Sequence, residues 1–108
     1  MLALFSALMA PFRGEKQDQS IQRQRREQII RNCDLTQVKA RMVNKRGMTP
    51  EYVNELEVQY KNYMVLTFRN PNVCHAVSEP VDQMLHEHML FTQEFHALEV
   101  AVGHTFMH

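Results

Sequence analysis

The last third of the chain holds all six of its histidines: His75, His86, His88, His96, His104 and His108. Imidazole is the one side chain that titrates near neutral pH unperturbed, and it is the commonest ligand of transition metals. Proton transfer or metal coordination would therefore sit here. The densest stretch is VDQMLHEHMLFT, with Val81, Asp82, His86, His88, Leu90 and Thr92. Asp82 lies one helical turn before His86. A carboxylate so placed fixes the imidazole tautomer and raises its basicity, as acids do behind metal-bound histidines. The same acid also suits a helix N-terminus on dipole grounds alone.

Spacing decides which pairs could share an ion. A helix advances about 100° per residue, so His86 and His88 diverge by about 200° and point to opposite sides. Chelation within one helix needs steps of three or four residues, which leaves Asp82 with His86, His96 with Glu99, and, if the helix passes Gly103, His104 with His108. The candidate metal set is His86, His88, His96, Glu99, His104 and His108, with Asp82 behind it, for a transition metal of open identity; the competing expectation is no cofactor. Cys33 and Cys74 lack CxxC spacing and are expected as reduced thiols. Cys74-His75 is half of a structural metal site at most.

These side chains need helices to hold them. Pro80 opens a final helix expected as one rod over 81–102, stopped by Gly103. Its inward stripe is Val81, Met84, Leu85, His88, Thr92, Phe95, Glu99 and Val102. Three polar groups in that stripe are costly unless they find partners. Upstream, Thr49-Pro50-Glu51 combines a hydroxyl cap, a first-turn proline and a first-turn acid. The helix it starts runs to about Arg69, with Val53, Leu56, Tyr60, Tyr63, Met64 and Phe68 as its core stripe. A shorter helix, capped by Asp34 and stopped at Gly47, presents Leu35, Val38, Met42 and Val43.

The beginning of the chain is different. MLALFSALMA is apolar on all sides, too short to span a bilayer, and without the positive segment of a signal peptide. Leu2, Leu4, Phe5, Leu8 and Met9 are expected in the domain's own core, against a neighbouring subunit, or in a membrane interface; no Lys or Arg on a polar face supports the last. After a loop through Arg13-Gly14, QDQSIQRQRREQIIRN reads as a polar helix anchored by Ile21, Ile29 and Ile30. Its Arg23, Arg25 and Arg26 suit a solvated face, an intersubunit face or nucleic-acid phosphates. No aromatic interleaving or nucleic-acid-binding signature accompanies them.

Net charge is zero but divided. Residues 13–46 carry ten basic and four acidic side chains, and residues 47–108 carry two basic and eight acidic ones. The halves can pair with each other, with other copies, or with an acidic partner. A chain of 108 residues with 44% apolar side chains buries a core as a single domain. Eight methionines make that core adaptable.

VDQMLHEHMLFTQEF followed by GHTFMH resembles a family of small helical proteins that includes the plant-type glycine-rich-domain-containing proteins. Their pattern is Val-Asp-x-x-Trp-His-x-(His/Phe)-x-Leu-x-Thr-x-x-Tyr, then a Gly and a C-terminal His pair. Val81, Asp82, His86, His88, Leu90, Thr92, Gly103 and His108 match it. Leu85 stands where the family has Trp, Phe95 where it has Tyr, and Glu99 near the place of a family Cys. The resemblance covers the last quarter of the chain and implies a shared helical module. Any family role of the Asp and His passes to Asp82 and His86.

The expected fold is all-α: a small bundle of four to five helices, with an apolar N-terminal helix over 1–12 and one helical domain over 13–108. No nucleophile elbow, phosphate loop or HExxH spacing is present, so a non-enzyme is expected. The expected function is a structural or interaction subunit of a larger assembly, such as a minor virion component. It would pack on homo- or hetero-oligomeric partners, inside a cell or particle and without a transmembrane segment. The alternative is a metal-binding helical protein. The Met-rich packing and the apolar N-terminus favour the first.

Overall fold

A computed structural model describes the backbone of residues 2–106 and the side chains of residues 17–106. The described residues form five helices and no strand: α1 (Leu2–Arg31), α2 (Thr36–Asn44), α3 (Pro50–Arg69), α4 (Glu79–Leu90) and α5 (Thr92–Val102). The all-α expectation holds. The loop expected at Arg13-Gly14 does not form, because both residues lie within α1. Helix-interior Gly14 costs only about 1 kcal/mol relative to alanine, although Pro11 also lies within α1.

Local sequence sets most of the boundaries. Thr49 caps α3, its Oγ1 accepting from the Tyr52 amide at 3.2 Å, with Pro50 in the first turn. Ser78 caps α4 in the same way, accepting from the Val81 amide at 3.4 Å. Asp34 serves α2 from one position further out: its Oδ1 accepts from the Thr36 amide at 2.9 Å and from Oγ1 at 2.6 Å. Gly47 ends the α2 segment in the left-handed region at φ 70°. There its amide reaches the Val43 carbonyl and the Met48 amide reaches that of Met42, a paired closure that satisfies two orphan carbonyls.

The expected 81–102 rod is broken. Phe91, at φ −87° and ψ 71°, separates α4 from α5, and its amide reaches back to the His88 carbonyl at 3.0 Å. No Gly or Pro stands there. Tertiary packing makes the corner, since α4 lies on α2 and α3 whereas α5 lies on α1. Phe95 and Val102 keep their expected inward places beyond the break, and the other positions shift. Thr92, expected inward, is exposed; Glu99 is half-buried; Leu98 is buried with Phe95 and Val102.

One core joins all five helices. Ile30 of α1, Val38 and Met42 of α2, and Val53, Leu56, Tyr60 and Met64 of α3 meet Val81, Met84 and Leu85 of α4 and Phe95, Leu98 and Val102 of α5. The charged halves of the chain are stitched together around it. Lys39 meets Glu57 at 3.0 Å, and Arg41 and Arg46 both meet Glu87. In the opposite sense, Arg69 grips Glu27 with two bonds of 2.6 and 2.8 Å.

Candidate functional site

The histidine-rich motif divides along the two sides of α4. His88 is buried at 3% exposure and His86 is exposed, the divergence that helical geometry requires. The His88 Nδ1 lies 2.7 Å from the Tyr60 hydroxyl on α3. Tyr60 is wholly buried and has no other hydrogen-bond partner among the described residues. A buried hydroxyl without another acceptor must donate, so Tyr60 donates to Nδ1 and the His88 proton resides on Nε2. Burial pushes the His88 pKa down to about 4 and drives that of Tyr60 well above its ordinary value. Both groups are neutral at physiological pH, as a low-dielectric setting demands.

This pair begins a chain of edge-to-face rings. His88 meets Phe95 at 5.0 Å between centroids, Phe95 meets Phe106 at 6.4 Å, Phe106 meets His104 at 5.0 Å, and His104 meets Phe68 at 6.2 Å. His104 therefore packs as a half-buried aromatic, and burial lowers its pKa. Glu99 ties the end of the described chain to α5: its Oε2 accepts from the Phe106 amide at 2.9 Å.

Beside His88, on the flank of the inward stripe, Glu87 is 5% exposed. Its carboxylate accepts from Arg41 Nε at 2.6 Å and Arg46 Nε at 3.0 Å. The Arg41 bond, with that from Arg46, holds the carboxyl below the usual range against the opposing effect of burial. The sequence reading did not single out Glu87. The available signal is its place three residues after Met84, within about 60° of a core position.

His86 Nδ1 lies 2.7 Å from the Asp82 backbone carbonyl and 3.4 Å from Asp82 Oδ2. The backbone oxygen holds the closer contact, which makes Nδ1 the donor, and the carboxylate is the more distant neighbour. His96 is exposed on α5, beyond the Phe91 corner. Of the expected metal set, His86, His88 and His96 thus occupy separate environments, Glu99 and His104 adjoin each other beside Phe106, and His108 lies outside the described residues. No three His, Cys, Asp or Glu side chains among the described residues are arranged to hold an ion. Cys74, His75 and His104 do border one small cleft with Tyr63, where His75 Nε2 donates to the Asn70 carbonyl at 3.1 Å. Cys33 and Cys74 are unpaired thiols.

Of the residues expected at an interface, Leu2, Leu4, Phe5, Leu8 and Met9 have side chains outside the described set. Arg23, Arg25 and Arg26 are exposed. Arg26 lies over the C-terminal end of α5, where a Cβ on Gly103 would come within 3.3 Å of Nη1. Cation placement at that end complements the helix dipole. The segment from Gln17 through Arg26 is exposed at every position, Ile21 included at 46%. Next to it, Ile21, Arg25 and Ile29 of α1 and Ala97, Leu98 and Ala101 of α5 line an open, mostly apolar groove of about 990 Å³. No helix among the described residues is long and apolar enough to cross a membrane.

A second, smaller cleft of about 320 Å³ lies where the α1–α2 link faces the Phe91 corner. Asp34, Thr36, Gln37, Phe91 and Glu94 border it, and His88 lies at its inner wall.

No family model matches this chain, and no curated protein or solved structure matches it either.

Proposed function

We propose that this protein is a non-catalytic structural or interaction subunit of a larger assembly. It engages other protein subunits through an apolar N-terminal helix and the polar helical segment that follows; a minor virion component is one concrete form. One observation carries this reading: ten consecutive helical residues, Gln17–Arg26, are exposed on every face. Isolated helical segments of that length are marginal in water, and proteins stabilise them by tertiary packing of one face. A partner helix or subunit would supply that packing. The adjoining groove extends the same surface, and the largely apolar Leu2–Met9 segment provides contact area that water would not tolerate.

Part of the opposite charge of the two halves is paired inside the chain, through Lys39–Glu57 and Arg41/Arg46–Glu87. Arg23, Arg25 and Arg26, on the exposed segment, enter no salt bridge among the described residues and are available to orient a partner.

The test is light scattering with sedimentation equilibrium on the untagged full chain and on a chain lacking residues 2–12. Self-association of the full chain and a monomeric, still helical truncation are expected for a homo-oligomer. For a hetero-assembly, the full chain exposes residues 2–9 and binds hydrophobic dyes, and the truncation does not. A strict monomer with residues 2–9 protected from exchange would overturn the reading.

A further inference from the structure

The cleft at the Phe91 corner has the composition of a ligand site, independently of any assembly role. His88 is nine-tenths buried or more, at 3% exposure, yet it borders this cleft. Its Nδ1 is committed to Tyr60, which does not border the cleft. Its Nε2 has no protein partner among the described residues. That nitrogen is not fully enclosed, and His88 borders open space at this cleft, which gives the Nε2–H a route to a bound acceptor. A buried donor held in one tautomer, with its free N–H facing open space, is a group prepared for an acceptor.

The outer wall is acidic. Asp34 uses Oδ1 for the Thr36 amide and hydroxyl, which leaves Oδ2 for another donor. Glu94 is exposed at the start of α5, and its charge acts on His88. Neither carboxylate forms a salt bridge among the described residues. Asp34, His88 and Glu94 are not arranged to close on a single ion. A ligand satisfying all three must therefore be several atoms long. Phe91 offers it an aromatic wall, which favours both apolar carbons and an ammonium near the ring. The volume is at the lower end for small-molecule sites, which excludes bulky ligands.

We propose that this cleft binds a short primary amine that also carries a hydroxyl or carbonyl oxygen. The ammonium sits at Asp34 and Glu94, the oxygen accepts from His88 Nε2–H, and the intervening carbons lie over Phe91. Charge selects the amine, and the fixed tautomer selects the acceptor.

The experiment is a nuclear magnetic resonance titration of the isotope-labelled full chain with 3-aminopropan-1-ol. 1-Propanol and propylamine serve as probes lacking one group each. Saturable shifts of the His88 ring and of the Thr36 and Phe91 amides are expected, with propylamine weaker and propanol weaker still. Glu94→Gln, at an exposed position, should weaken binding about fivefold, the effect of one solvent-accessible charge contact. Tyr60→Phe, which releases the tautomer, should reduce the preference for the amino alcohol over propylamine. Equal shifts from propanol, no saturation at tens of millimolar, or no effect of Glu94→Gln would each overturn the proposal.

Discussion

The Tyr60 hydroxyl donates to His88 Nδ1 across 2.7 Å, which pins α3 to α4 through two side chains that are both almost completely buried. The bond explains how two polar groups reside in an otherwise apolar core. The bond satisfies the Tyr60 hydroxyl and His88 Nδ1, and leaves the Nε2–H as the group of the pair without a protein partner among the described residues. It also sets the protonation state of the histidine, with consequences for acid stability.

The folded-state pKa of His88, about 4, is below its ordinary 6.5. Between those values the unfolded chain binds a proton that the folded chain does not. Stability is then fully present above pH 6.5 and falls as the pH drops toward 4, by about 3 kcal/mol. His104 adds a contribution of the same sign. Glu27, Glu57 and Glu87, all held below 4.5, begin to cost stability only at lower pH. Urea unfolding from pH 7 to pH 4.5 should show this loss in wild type. His88→Gln, which retains an acceptor for Tyr60, should flatten most of it. An unchanged slope would show that His88 is not buried neutral.

Removing the Glu87 charge should weaken the α2–α4 contact. Glu87→Gln leaves the Arg41 and Arg46 guanidiniums facing each other with a neutral partner. The loss is expected at about 1–3 kcal/mol, below that for a fully buried pair because both arginines are partly exposed to solvent. Thermal unfolding of Glu87→Gln against Arg41→Gln and the double variant should reveal a non-additive coupling. Additive losses would mean that the ion pair contributes nothing of its own.

The two thiols should differ in reactivity. Cys33 is packed against the core, and burial raises its pKa, whereas Cys74 is exposed. Because the thiolate is the reactive form, a disulfide reagent should label Cys74 in a fast phase and Cys33 in a much slower one. Cys74→Ser should remove the fast phase. A single phase would contradict the packing of Cys33.

Hydrogen exchange should separate the exposed part of α1 from the bundle. Amides of residues 17–26 are expected to exchange rapidly in dilute protein, since local helix opening there uncovers no core. Those of α3 around Val53 to Met64, which hold the core, should be the slowest. Rising concentration, or an added partner, should slow exchange in the first group selectively.

Much of the helical layout was legible in the chain. Thr49-Pro50, Ser78-Glu79-Pro80, Gly47 and Gly103 act within a few residues, through caps, fixed φ and the left-handed region, and so they set boundaries wherever the helices finally pack. The opposite fates of His86 and His88 followed from helical pitch alone. The Phe91 corner did not, since no local breaker marks it and two different packing surfaces create it. With that corner went the expected inward Thr92 and the full burial expected of Glu99.

Sequence by itself determined which segments coil and which faces are apolar, because capping and periodicity are short-range properties. Tertiary structure decided that Tyr60 is the partner of His88, that Arg41 and Arg46 converge on Glu87, and that Asp34 and Glu94 border one cleft. Those pairs are 28, 46, 41 and 60 residues apart. Only packing of the helices around a common core brings groups so distant along the chain within reach of one another.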